Sequence, residues 1–511
     1  MAKEIELKLR VQSADLPQLR AALTRLAGGV RARQSKLTSL YFDSPHLSLL
    51  RAGSALRVRR IGRRWVQTLK GGGTVQGGLH VREEQEWLIA SPLPDLTKLK
   101  FAAPGLPWRD IAPLLVAVFK TEFQRSLWHI TDQGSVIEVA LDRGLVCAGE
   151  RTEAILELEL ELKAGAPAAL YALALELATV APLAPDPVSK SERGYRLFQG
   201  MPLAPVKAAT LALQEALTVE QAFVAIVWNC LDQLQRNQRG VGEQTDPEFI
   251  HQMRVALRRL RSALSLLSVV APRASWEAWA AELRWLAGEL GAARDWDVLE
   301  QELLPPLIAH LQQRCPLEYL PQRVKAERLK ARRKAHAAVA SPRYGLLVLN
   351  IARWLSTRQW RLQAMAASAQ QLAQLDSAIL PLAEMLLERR HQQLHRRGQH
   401  LARLSDVQRH RLRVMAKKLR YAAEFFVPLF SRKAARPYLA ALTALQDVLG
   451  ALNDNATALQ HAAQLCEATH DPRCREEAGI LTGWSSSSMS QQLQRLGKAW
   501  KCYRRQRPFW N

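Results

Sequence analysis

The amino-acid sequence predicts an α+β chain in two parts: an antiparallel β-barrel or sandwich over the first 200 residues, then an all-α duplicated helical bundle. Three observations carry this. Short segments in which polar and apolar residues alternate recur through the first 165 residues or so. Past residue 208 these strand signals vanish, and long Ala-, Leu-, Gln- and Arg-rich stretches with helical periodicity replace them. Within that second half, two separate motifs recur at one common spacing, 159 residues. A chain of 511 residues also exceeds what a single hydrophobic core organises, so two or three domains are expected.

The first strand covers residues 3–11. Glu4, Glu6 and Lys8 alternate with Ile5, Leu7 and Leu9, so the charged set shares one face and the apolar set takes the other. Residues 15–26 have helical spacing (Leu16, Leu19, Leu23, Leu26) and stop at Gly28-Gly29. Strand-like segments follow at 36–42, 55–60, 64–70, 79–88, 121–130, 136–141 and 155–163. The last repeats the opening pattern as Glu157-Leu-Glu159-Leu-Glu161-Leu-Lys163. Seven or eight strands with one early helix suit a barrel or sandwich with helices attached. Gly71-Gly72-Gly73 and Gly77-Gly78 read as a flexible hairpin loop, because the Gly-Lys-Ser/Thr ending of a phosphate-binding loop is missing.

Taken singly, each charged strand reads as a half-exposed strand with a solvated outer face. Together they read differently. Arg57 and Arg59 share a face, His80, Arg82, Glu84 and Glu86 share another, and Glu138 lies in register with Asp142. If these faces point inward, they line a tunnel that is costly to bury unless a polyanion and its cation fill it. Carboxylates at such spacing repel unless a cation separates them, and oxygen ligands suit Mg²⁺ or Mn²⁺.

The composition is ordinary in its 48% hydrophobic and 23% charged residues, but the net charge is +24 and the pI about 10.2. Most of the excess lies beyond residue 200, which directs attention to a polyanionic partner of the second half. Six scattered cysteines without a Cys-x-x-Cys pair argue against a zinc site or disulfide framework and suit a reducing cytoplasm. No apolar signal core opens the chain and no run of 18 apolar residues occurs, so a cytoplasmic protein with no membrane partner is expected.

Residues 201–214 read as a linker, since Gly200, Pro202 and Pro205 interrupt any regular element. The repeat follows. His251-Gln-Met-Arg254-Val-Ala-Leu-Arg258-Arg259-Leu-Arg261 matches His410-Arg-Leu-Arg413-Val-Met-Ala-Lys417-Lys418-Leu-Arg420, and Leu290–Asp297 matches Leu449–Asn455. On helices, His251, Arg254, Arg258 and Arg261 form one basic stripe, and His410, Arg413, Lys417 and Arg420 form its copy. Met253, Leu257, Leu260 and Leu264, with Leu412, Ala416, Leu419 and Ala423, supply the core sides. Two facing stripes would make a cationic groove. Asp295 and Asp454 read as partners for the arginines. Residues 323–334, with seven basic residues in twelve, either extend the anion track or form a charged helix end.

These residues carry two resemblances. Glu4-x-Glu6-x-Lys8 resembles the signature of the CYTH superfamily, the triphosphate tunnel metalloenzymes. Supporting matches are Tyr41-Phe-Asp43-Ser-Pro45, Leu56-Arg57-Val-Arg59, Thr68-Leu-Lys70, Arg82-x-Glu84, Phe123-x-Arg125, Leu141-Asp142-x-Gly144, the Glu157–Glu161 strand and Lys190-Ser-Glu-Arg193-Gly-Tyr. The resemblance implies an eight-stranded antiparallel tunnel over 1–200 that hydrolyses inorganic triphosphate with Mg²⁺ or Mn²⁺. Glu4, Glu6, Glu157 and Glu159 would hold the metal. Lys8, Arg57, Arg59, Lys70, Arg82, Arg125, Lys190 and Arg193 would bind the substrate, with Lys8, Glu4 and Glu6 closest to the chemistry. The same tunnel would serve a nucleoside triphosphatase or an adenylate cyclase. A polyphosphate-binding scaffold without catalysis is the other alternative, although clustered carboxylates give an anion binder nothing. Residues 215–505, with repeats at about 215–370 and 375–505, resemble the CHAD domain, which implies binding of inorganic polyphosphate along the two basic stripes. A specific nucleic-acid partner is not expected, because phosphate neutralisation alone is non-specific and no stacking platform is evident.

Overall fold

The alternating segments become nine strands in a computed structural model that describes residues 2–102, 106–132, 134–242, 245–268, 274–311, 316–469 and 471–510. They are β1 (Ala2–Arg10), β2 (Arg33–Asp43), β3 (Ser54–Ile61), β4 (Arg64–Gln76), β5 (Leu79–Ile89), β6 (Val116–Asp132), β7 (Ser135–Ala148), β8 (Arg151–Ala164) and the two-residue β9 (Ala184–Pro185). Neighbours pair antiparallel in the order β5-β4-β3-β2-β6-β7-β8-β1, and β1 pairs back onto β5. That last pairing closes eight strands into a barrel and decides between barrel and sandwich. Short β9 adds to β1 at Leu9 and Arg10. Closure leaves the eight strands without a free edge.

The glycine-rich stretch departs from the expected loop. Strand β4 continues through Gly71–Gly73 with a bulge in its pairing to β5, and only Gly77-Gly78 turn the chain. A side chain at Gly73, whose φ is +119°, would collide with the Val81 carbonyl, so the glycines admit the bulge without ending the strand.

The apolar faces of the strands are covered by helices. Leu7 and Leu9 on β1 are fully buried. The helix Ala168–Leu177 packs on β1 and β8, and the helix Leu16–Leu26 packs on β6. A third covering helix comes from far along the chain. Residues 339–358, which include the helix Pro342–Thr357, form one compact unit with residues 1–204. That helix packs on Ala168–Leu177 and β9.

The second unit comprises 205–338 and 359–511 and is helical among the described residues. Residues 201–214 carry no regular element. The helices Val219–Asn237, Glu248–Leu267 and Ala274–Val298 correspond in order to Ile379–Gly398, Asp406–Phe426 and Arg432–Thr469. The duplication also shows in the backbone, where Val219 N–H donates to Ser377 O and Ile379 N–H donates to Leu217 O. Met253, Leu257, Leu260, Leu264, Leu412, Ala416, Leu419 and Ala423 are all buried. Of residues 323–334, Arg328 and Arg332 turn towards Asp297, each at 2.8 Å, and Arg332 is fully buried. Part of that basic run is therefore an internal brace. Cys147, Cys230, Cys466, Cys474 and Cys502 are free thiols; Cys315 lies outside the described residues. Among the described residues, no helix is long and apolar enough to cross a membrane.

Candidate active site and anion-binding cluster

The barrel encloses a cavity of about 250 Å³. Cross-strand register explains its contents, because the two-residue period of side chains keeps register partners on one face. Around the wall, Lys8 faces Glu159, Glu6 faces Glu161, Glu4 faces Arg82 and Lys70 faces Glu84. Arg57 faces Tyr41 and Thr68, Arg125 faces Asp142, Asp142 faces Glu157, and Glu138 faces Glu161. Eight cations (Lys8, Arg57, Arg59, Lys70, Arg82, Arg125, Lys163, Lys190) and seven carboxylates (Glu4, Glu6, Glu84, Glu86, Glu138, Glu159, Glu161) line the cavity. The helix Lys190–Phe198 presents its N-terminus to it. Ser189, whose hydroxyl accepts from Glu192 N–H, lines the cavity with Lys190 and Ser191. Such an end favours an anion. Gly194 sets the seat of that helix, since a Cβ there would collide with the Phe119 ring.

Two charge networks run through the cavity lining. In the first, Lys70 Nζ donates to both Glu4 oxygens at 2.9 and 2.6 Å and lies 3.3 Å from Glu84, while Arg57 lies 3.6 Å from Glu84 and 3.4 Å from Glu86. In the second, Lys8 pairs with Glu6 at 2.9 Å and with Glu159. Arg125 grips Asp142 in a two-pronged contact at 2.8 and 2.7 Å and reaches Glu159 at 2.6 Å. Lys190 meets Asp142 at 2.7 Å, Glu159 at 2.9 Å and Glu157. Burial raises the Glu4 carboxyl, helped by the charge of Glu6 and opposed by Lys70. Burial is also the largest influence on Glu6 and would raise it, but Lys8 and Lys70 together with the other charges around it hold that carboxyl at about 2. Arg59 and Arg82 have no carboxylate within ion-pair distance among the described residues. Burial, with Arg57 and Arg125 nearby, lowers Arg59 to about 9, which still leaves it charged at neutral pH. An anion entering the cavity finds those two cations without ionic partners.

The donor set fits a hard divalent cation. Asp142, Glu157 and Glu159 are buried and bring carboxylate oxygens within 4.8 Å of one another, and all-oxygen donors suit Mg²⁺ or Mn²⁺. A cation is already held there, the Lys190 ammonium. Glu4 and Glu6 lie on β1, the strand beside β8, and Glu6 shares Lys8 with Glu159.

Of the residues expected from sequence, Glu4, Glu6, Lys8, Arg57, Arg59, Lys70, Arg82, Arg125, Glu159 and Lys190 line the cavity. Glu157 shares the strand face of Glu159 and joins it in the three-carboxylate cluster, without itself lining the cavity. Arg193 is buried and turned towards Glu153 at 2.6 Å, Glu157 at 3.3 Å and the Ala154 carbonyl, so it braces the helix Lys190–Phe198 against β8. Asp142, Glu84, Glu161 and Lys163 were not assigned site roles from the sequence. Their signal was present as alternation: Asp142 follows Glu138 and Ala140 on one face, and Glu84 follows Arg82.

In the helical unit, Arg254, Arg258, Arg413 and Lys417 converge. Burial and the charges of Arg413, Arg258 and Arg254 lower the Lys417 ammonium to about 7. Burial likewise lowers Arg254 to about 10, against Asp295 at 3.8 Å; its counterpart Arg413 has Asp454 at 3.7 Å. Both guanidiniums keep a buried Nε without a hydrogen-bond partner. The histidines differ. His251 is lowered to about 4 by burial and Arg294, whereas exposed His410 bonds Asn453 through Nδ1 at 2.9 Å. Arg261 is exposed, with Arg284 nearby, and Arg420 pairs with Glu424 at 3.2 Å, so both stand apart from the central four.

The model of the CYTH domain matches residues 2–195, and that of the CHAD domain matches 225–463. An inorganic triphosphatase of Haemophilus influenzae (strain ATCC 51907 / DSM 11121 / KW20 / Rd) is 34% identical over 203 residues, which are 39% of this chain and 55% of that protein. The chain thus spans about half the length of this curated relative. The CHAD domain of the plant Ricinus communis is 34% identical, covering 60% of this chain and 98% of that one with a TM-score of 0.49. A putative adenylyl cyclase from Hippeastrum, described as having a dominant triphosphatase activity, is 21% identical over 39% of this chain and 97% of its own, with a TM-score of 0.29. The barrel belongs to the CYTH family, and the helical region that follows it is a CHAD domain.

Proposed function

We propose that the tunnel hydrolyses inorganic triphosphate to pyrophosphate and phosphate with Mg²⁺ or Mn²⁺, and that the helical domain binds inorganic polyphosphate. The observation that carries the first part is a barrel interior lined by eight cations interleaved with seven carboxylates. A tunnel for an anion alone would not gather the carboxylates, and a metal site alone would not gather the cations. The match to an inorganic triphosphatase supports this choice of substrate.

Arg59 and Arg82 receive the incoming anion, and Arg57, Lys70, Arg125 and Lys8 neutralise its oxygens as they loosen from their carboxylates. The N-terminus of the helix Lys190–Phe198 adds its dipole at one wall. Glu4, Glu6, Glu157 and Glu159, with Asp142, would hold the divalent cation, which when bound polarises a phosphate and lowers the pKa of water. The protein's own contribution is positioning and charge stabilisation in a site screened from bulk water. In the helical domain, Arg254, Arg258, Arg413 and Lys417 support polyphosphate binding, because among the described residues four clustered cations have only two aspartates beside them, at 3.8 and 3.7 Å.

Phosphate release from triphosphate with Mg²⁺ tests the reading. Glu4→Gln and Glu6→Gln should each lower kcat at least about a hundredfold. Wild-type activity without added metal, or undiminished activity in both variants, would refute it.

A further inference from the structure

Asp142, Glu157 and Glu159 form a pocket for a positive charge, and Lys190 fills it. Its ammonium lies 2.7 Å from Asp142 Oδ2 and 2.9 Å from Glu159 Oε1, and it also contacts Glu157. Three buried carboxylates within 4.8 Å of one another need cations beside them. Arg125, Lys8 and Arg193 each touch one or two of the three, and Lys190 touches all of them. Lys190 also lines the cavity, from the first position of its helix, on a flexible four-carbon stem. It can therefore serve either the carboxylates or a guest in the tunnel.

We infer that Lys190 is a displaceable counter-ion: without a metal it bridges the three carboxylates, and a divalent cation entering among them expels its ammonium into the cavity, onto a phosphate oxygen. This rests on the tunnel reading above. An ammonium and a divalent ion cannot share the same three carboxylates at contact distance, so metal alone must compete with the lysine. A bound triphosphate offers the expelled ammonium a new partner. Metal and triphosphate therefore strengthen each other's binding, and the coupling is reciprocal.

The test uses the full chain and binding alone. Mn²⁺ affinity is measured by electron paramagnetic resonance of the free ion for wild type and Lys190→Met, with and without a non-hydrolysable imidotriphosphate. The analogue should tighten Mn²⁺ binding to wild type at least about tenfold. Lys190→Met should bind Mn²⁺ alone at least about tenfold tighter than wild type, bind the analogue more weakly, and lose most of the coupling. These opposite signs separate displacement from a merely structural lysine, whose loss would weaken both ligands. Unchanged or weaker Mn²⁺ binding by a folded Lys190→Met overturns the inference. If the variant unfolds without metal, its thermal unfolding decides: a larger Mn²⁺-induced rise in Tm than wild type supports displacement, and no rise overturns it. Since no turnover is required, a tunnel that shows this exchange but releases no phosphate would sink the proposed function alone.

Discussion

A lysine ammonium packed among arginines holds its proton only weakly, and Lys417 is in that position. Burial and its three arginine neighbours lower it from 10.5 to about 7. The protonated form binds an anion better, and a bound polyanion raises the pKa again. Affinity for polyphosphate should thus be full below pH 7 and fall as pH rises through that value towards the higher pKa of the complex. Titrations at pH 6 and 8.5 should show this loss, and Lys417→Arg should flatten it; an equal slope in both proteins would locate the effect elsewhere. In the tunnel, Lys8 and Lys190 show the opposite balance. Their carboxylate partners outweigh burial, and both are held above the ordinary lysine range. Alternation made Lys8 legible as an inward cation. The role of Arg193 was not legible, because its link to Glu153 depends on how a helix far along the chain meets β8.

Among the elements, the helix Pro342–Thr357 was the least readable. Its periodicity marks a helix like its neighbours, and nothing local says that it packs with the barrel's covering helices. Gly345 records the closeness of that packing, since a Cβ there would collide with the Leu183 carbonyl. Gly345→Ala should destabilise the first unit by about 1–3 kcal/mol, the usual cost of overpacking. Calorimetry of the full chain should show it as a lowered transition, and an unchanged thermogram would mean that the contact relaxes freely. The strands were far more legible. All seven segments predicted after β1 lie within β2–β8, because each carries its own two-residue alternation. Short β9 has too few residues to show a period.

For the whole molecule, the charge of +24 makes a salt-dependent prediction. If clustered lysines and arginines bind polyphosphate by displacing counter-ions, log affinity should fall linearly with log salt between 50 and 200 mM, and the slope should shrink by about one for each contact removed. Arg254→Gln with Arg413→Gln should cut both affinity and slope, whereas Arg261→Gln, outside the cluster, should change either only slightly. Equal losses from both sets would mean a diffuse basic surface.

The sequence by itself determined the two-part architecture, the strand faces, the duplicated helices and most of the tunnel's charged lining. Each of these is a local periodicity or an internal repeat, written within one segment of chain. Only the tertiary structure decided that β1 closes onto β5, that Asp142 joins Glu157 and Glu159, that Lys190 lies among them, and that a helix from residues 342–357 completes the first unit. Those are meetings between segments far apart in sequence, and their partners are selected by register and packing, which no single segment encodes.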